Sequence, residues 1–200
     1  MISPGSGKRG RFSLERIPPG QRLTTDFPVL HLGPVPAFRP ESWDFRVGGA
    51  VAKPVVLGWP ELSRLPMVTV TADFHCVTGW SRLDLTWEGV AFSAIASLAQ
   101  PRPEARSVLI HCEYGYTTNL PLENLMQPDV LFALRVEGEP LTAEHGGPVR
   151  LVVPQKYAYK SAKWVRGVEF REAEVLGYWE ARGYSNTADP WTEDRYAPAR

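Results

Sequence analysis

From Met67 to Phe74 the chain reads MVTVTADF, alternating apolar and small polar residues with the period of two expected of a half-buried strand. The same pattern predicts short strands over Phe45–Val51, Val55–Gly58, Leu85–Val90, Val130–Glu137 and Val149–Val153. Ser107–Cys112, SVLIHC, is apolar almost throughout and predicts a strand covered on both faces. Helical spacing is scarce. Phe92–Ala99 places apolar residues at helical intervals before Pro101 and Pro103. Trp59–Leu62 suits a short helix with Pro60 in its first turn, Leu122–Met126 a turn or two, and Leu176–Arg182 a further helix.

Between these elements the breakers fall in clusters. Pro28, Pro34, Pro36 and Pro40 forbid a long helix across TTDFPVLHLGPVPAFRP and predict an extended chain laid over another surface. Gly138-Glu139-Pro140 and Glu144-His145-Gly146-Gly147-Pro148 are turns. Residues 1–20, rich in Gly, Ser, Pro and Arg, predict a flexible N-terminal arm, and 21–200 one domain. Strands far outnumber helices without regular alternation, so the fold class expected is α+β, mixed β-sheets with short helices.

Composition adds mainly exclusions. With 44% hydrophobic residues in 200, the chain can bury a core. Basic and acidic residues balance at 22 each, which disfavours a nucleic-acid or anionic membrane partner; any anion site must be local. No apolar run is long enough to span a bilayer, and the N-terminal residues lack a secretory pattern, so the expected location is cytoplasmic.

Candidate chemistry centres on Cys76, which stands where the strand ending at Phe74 meets a loop expected to run through Asp84. Such a position fixes a Cα while leaving room for a ligand, suiting a reactive thiolate or a metal; a small buried hydrophobe is the bland alternative. His-Cys occurs twice, at His75-Cys76 and His111-Cys112. Adjacent strand residues point to opposite faces, which disfavours a zinc site built from the two pairs. A disulfide is disfavoured in a reducing compartment, and a cysteine nucleophile leaves unexplained the basic cluster Lys156, Lys160, Lys163 and Arg166. Arg150, leaving the preceding turn, can bring a planar guanidinium to a phosphate alongside that cluster.

Three blocks in order, FHCVTGWS (74–81), EHGGPVRLVVP (144–154) and YKSAKW (159–164), resemble the molybdopterin domain of the sulfite oxidase superfamily. The likeness extends from about Phe27 to Trp191 and is greatest to small bacterial sulfite oxidase-like oxidoreductases; the catalytic subunits of protein-methionine-sulfoxide reductases are also similar. It implies a molybdenum ion held by a pyranopterin dithiolene and by the Cys76 thiolate, a soft ligand for a metal in sulfur-rich coordination. His145, Arg150, Ser161, Ala162 and Lys163 fall at cofactor-binding positions, His31 where relatives carry a cofactor-contacting Asn, and Cys112 near a Thr that touches the cofactor. Tyr116 resembles the tyrosine beside the metal in sulfite oxidases.

The implied activity is oxygen-atom transfer on a small sulfite-like or sulfoxide-like substrate, with a separate haem or flavin protein as redox partner. A non-catalytic module that binds or stores molybdopterin is the alternative on the same scaffold. The chain departs from sulfite oxidases at Leu30 and Ser81, where those enzymes place arginines that make a pocket for a dianion.

Overall fold

In the computed structural model, which describes residues 15–198, two sheets share the chain. The larger is organised on one long strand, β5 (Trp80–Ala91). The hairpin partner β4 (Val68–Cys76) runs along one side of it. The other side takes the short parallel β1 (Arg22–Leu23) at its start and β8 (Leu131–Val136) at its end. Beyond β8 lie β9 (Glu139–Pro140) and β10 (Arg150–Val152). The second sheet has the order β3-β2-β11-β6-β7, from β2 (Asp44–Gly49), β3 (Val55–Gly58), β6 (Ser107–Cys112), β7 (Thr117–Pro121) and β11 (Val165–Arg171).

The helices are short: α1 (Trp59–Leu62), α2 (Phe92–Ala99) and α3 (Leu122–Leu125). α2 keeps the predicted bounds because its apolar positions share one face, burying Phe92, Ile95, Ala96 and Ala99. It closes at Gln100, which takes a left-handed conformation before Pro101. That face joins Phe45, Phe132, Val168 and Phe170 in the main core, each such side chain contributing about 1.5–3 kcal/mol by burial. Ile95→Asp would put an unpaired carboxylate at the centre of it. A smaller cluster, Phe74, Cys76, Trp80, Leu85, Trp87, Leu131 and Val152, belongs to the larger sheet.

Two local expectations change. β4 runs on through His75 and Cys76, and β5 begins at Trp80, so only the turn Val77–Thr78–Gly79 separates them. Gly79, at φ 95°, supplies the left-handed residue this turn needs and returns its N–H to the Cys76 carbonyl at 3.0 Å. Ser81, polar as a loop residue would be, pairs with His75 across the strands and is fully buried, while Asp84 lies at an irregularity of β5, in a left-handed conformation with its N–H given to the Asp73 carboxylate at 3.0 Å. Leu176–Arg182 is not an α-helix. Only Glu180–Arg182 makes a 3₁₀ turn, because the Tyr178 N–H is taken by the Thr117 carbonyl at 2.9 Å and Glu180 is drawn inward to Lys160.

Of the arm expected over residues 1–20, residues 1–14 lie outside the described residues, while Arg16 pairs with Asp73 and Asp84. The proline-rich segment 24–40 forms no regular element and is laid across the molecule, with Phe27 packed on Phe74 and Trp87 and Phe38 on Trp43 and Trp59. Among the described residues no helix is long and apolar enough to cross a membrane.

Candidate cofactor cleft

A cleft of about 520 Å³ opens between the end of β4, the proline-rich segment and the loops that follow β9 and β10. That is room for a mid-sized organic molecule. Cys76, His31, Tyr116, His145, Arg150, Ser161, Ala162 and Lys163 all line it; Cys112 does not. Cys76 enters because it ends β4, where the hairpin turn leaves its sulfur facing the cleft, with the Thr78 hydroxyl 3.1 Å away.

Arg150 is almost wholly buried, yet among the described residues it meets no carboxylate. It donates to the carbonyls of His145 and Ser161, both at 2.9 Å, and its Nε has no partner. Its guanidinium lies 5.1–5.8 Å from the rings of Phe74, Trp87 and Phe27, a cation held against aromatic faces. Burial pushes its pKa down to about 10. Lys163 reaches into the same space and donates only to the Glu144 carbonyl, at 2.6 Å. Burial, with Arg150 nearby, pushes it down to about 7. Gly146 sits directly against this pair, and a Cβ there would come within 3.0 Å of the Arg150 and Lys163 side chains. The acidic side chain that lines the cleft, Glu113, is bound to Arg166 at 2.6 Å. A buried guanidinium and a half-buried amine with no carboxylate partner of their own, together with an unpartnered N–H, suit an anion.

The remaining predicted residues build walls. His145 spends both ring nitrogens on the protein: Nε2 donates to the Phe27 carbonyl at 2.9 Å and Nδ1 faces the Thr142 hydroxyl at 3.0 Å. Its ring stacks on Phe27 at 4.3 Å, and burial holds its pKa below the usual imidazole value. Ser161 accepts from the Val153 N–H at 2.9 Å, fixing the backbone that carries Ala162 and Lys163. His31 donates from Nδ1 to the Gly33 carbonyl at 3.0 Å and sets its ring edge against Trp164. The Tyr116 hydroxyl donates to the Tyr159 carbonyl at 3.2 Å; burial pushes its pKa well above 10, so it keeps its proton. Cys112 packs in the main core, where burial pushes its thiol far up.

The basic cluster read in the sequence does not assemble. Only Lys163 faces the cleft. Lys160 is buried in an ion pair with Glu180 at 2.5 Å, and Arg166 is bound by Asp44 and Glu113. Leu30 is exposed on the cleft rim, whereas Ser81 lies behind Cys76, its hydroxyl 2.8 Å from His75 Nδ1. Two contributors carry no motif. Phe27 is the hub on which His145 and Arg150 rest, and a run of rings, Tyr116–Tyr178–Trp179–Tyr184, lines the far wall at 5.0–5.6 Å spacing. The aromatic density of GYWEARGY is the signal that could have marked the latter.

The chain belongs to the oxidoreductase molybdopterin binding domain family, whose pattern it matches over residues 32–179. The match takes in every predicted site residue except His31, which immediately precedes it. Among its relatives, the oxidoreductase YuiH of Bacillus subtilis is 45% identical over 90% of this chain and 92% of its own. The catalytic subunit of the protein-methionine-sulfoxide reductase of Campylobacter jejuni is 27% identical over 72% of this chain, which spans 54% of that protein. The crystal structure of the sulfane dehydrogenase SoxCD from Paracoccus pantotrophus shares the fold, with a TM-score of 0.65 and 21% identity over 88% of this chain and 57% of its own. The chain is thus a molybdopterin-binding oxidoreductase of the sulfite oxidase-like type.

Proposed function

We propose that the protein reduces an uncharged S-oxide, small or peptide-linked, with Cys76 as the protein ligand to a molybdenum ion and Arg150 and Lys163 as the seat of the pterin phosphate. The observation that carries this is a buried arginine and a half-buried lysine without a carboxylate partner, sharing a cleft with a cysteine sulfur. The unpartnered Arg150 Nε and the close backing of Gly146 fit a group that brings its own negative charge. When bound, that cofactor supplies two-electron chemistry in which an oxygen atom passes between substrate and metal.

The chain's own side chains do the rest. Cys76 gives a soft sulfur donor on a rigid strand end. Arg150 and Lys163 neutralise the phosphate, and the aromatic wall narrows access by water. Tyr116 keeps its phenolic proton, which it gives to the Tyr159 carbonyl, and would have to turn from that bond to donate to an oxygen atom in the cleft. The overall step takes two electrons and two protons, converting the sulfoxide to a thioether and water, and the electrons come from a separate haem or flavin carrier.

Sulfur in an uncharged oxide is favoured over sulfite because the rim offers Leu30, Leu32 and Tyr114 rather than cations. The C. jejuni relative, named a methionine-sulfoxide reductase, supports the same direction. Metal analysis of protein from a molybdenum-sufficient host should give molybdenum and a fluorescent pterin on denaturation. Zinc at stoichiometry, or no pterin, overturns the assignment. With a reduced dye as donor, methionine sulfoxide should turn over faster than sulfite does with an oxidised dye; the reverse order overturns the substrate class.

A further inference from the structure

Thr78 has no part in the reading above, yet it is the polar side chain nearest the Cys76 sulfur. The hairpin turn folds its Oγ1 back to 3.1 Å from Sγ, and Thr78 lines the cleft beside it. The turn is held from outside. The Cys76 carbonyl accepts from Gly79 N at 3.0 Å and from Gln21 Nε2 at 3.1 Å; Arg22 N donates to the Gly79 carbonyl at 3.0 Å, and the Arg195 guanidinium donates to that of Val77. The left-handed position of the turn is taken by Gly79, so turn geometry alone does not call for a hydroxyl at Thr78. The β-branch does restrict χ1, which keeps the hydroxyl where it is.

A thiolate can only accept, so beside an ionised Cys76 the Thr78 hydroxyl is the donor. We propose that Thr78 is a positioning residue for the ligand sulfur: its hydrogen bond directs Sγ into the cleft and draws charge from it. A sulfur so held donates less to an oxidised metal, which raises the reduction potential of the site. The inference rests on Cys76 being the metal ligand.

The test is a redox titration of the holoprotein, followed by electron paramagnetic resonance, with molybdenum content and thermal unfolding measured on the same preparations. Thr78→Val keeps the shape and removes the hydroxyl; Thr78→Ser keeps the hydroxyl. The Val variant should titrate at a more negative potential than wild type while the Ser variant stays with wild type, all three carrying equal molybdenum. Thr78→Ala replaces the Val variant if the latter fails to fold. An unchanged potential without the hydroxyl overturns the inference, as does an equal shift in the Val and Ser variants. Wild-type protein without molybdenum also overturns it, the metal analysis then showing that the ligand assignment failed and not the hydrogen bond.

Discussion

The molecule contains the same dipeptide twice, His75-Cys76 at the end of β4 in one sheet and His111-Cys112 at the end of β6 in the other. Both cysteines are 7% exposed as whole residues, yet their surroundings are opposite. Cys76 has Thr78 at 3.1 Å and shares a cleft with Arg150 and Lys163; Cys112 packs among Ile110, Val165 and Leu120. The histidines reverse as well. His75 is buried against Ser81, while His111 is half-exposed and meets Glu169 at 2.9 Å. Residue burial by itself therefore does not separate the proposed ligand from a core cysteine; the charge and polarity of the atoms around the sulfur do.

The largest effect expected from this difference is on turnover. Cys76→Ser should bring molybdenum-dependent activity below detection, whereas Cys112→Ala should keep it, losing only stability, on the order of 1 kcal/mol, for a thiol removed from the core. Activity in the first variant, measured at matched molybdenum content, would erase the distinction between the two cysteines.

Next in size is Arg150, the cation that makes one surrounding unlike the other. Arg150→Met should weaken retention of the pterin by about 2–5 kcal/mol, as expected when one partner of a buried charge pair is removed. In cofactor-free protein the same change should be neutral or stabilising, because a buried guanidinium without an anion is replaced by an apolar side chain. Opposite signs in a thermal unfolding comparison of loaded and empty protein check this; a loss in both would make Arg150 a structural residue only.

A smaller effect follows from Lys163, whose pKa burial and Arg150 bring down to about 7 from the ordinary 10.5. In empty protein the folded state gives up this proton above about pH 7 while the unfolded chain keeps it to near 10.5, so stability rises with pH across that interval. A bound phosphate favours the charged amine, so cofactor binding takes up a proton there and weakens as pH rises through about 7. Retention measured across that range should show the dependence in wild type and lose it in Lys163→Met.

The smallest contrast is between the histidines. His75→Ala should cost about 1–3 kcal/mol by leaving buried Ser81 short of a partner, and His111→Ala about 0–1 kcal/mol, as for a surface pair. Denaturant unfolding of the two variants measures it.

Much of the architecture was legible because local pattern and tertiary role agree. SVLIHC is apolar because β6 lies between two strands under a covered face, and the spacing of FSAIASLA is that of α2. The hairpin at Cys76 was less legible, since Ser81 and Arg82 have loop-like polarity and only their pairing to β4 makes them strand. Periodicity over Leu176–Arg182 suggested a helix, but the ion pair of Glu180 with Lys160 and the backbone bond of Tyr178 to Thr117 outweigh a short stretch of propensity. Within the cleft, motif blocks named the sulfur and the cations. Phe27 and the tyrosine wall went unnamed because their role arises from long-range packing and not from spacing.

The clamp on the ligand hairpin bears on how the protein is made. Arg195, which grips the Val77 carbonyl, is translated 118 residues after it. Cys76 thus leaves the ribosome long before this last hold on its turn can form, whereas the bonds from Gln21, Arg22 and Gly79 are available once the hairpin itself has emerged. A cofactor entering before Arg195 has emerged would therefore meet a hairpin that lacks one of its four holds.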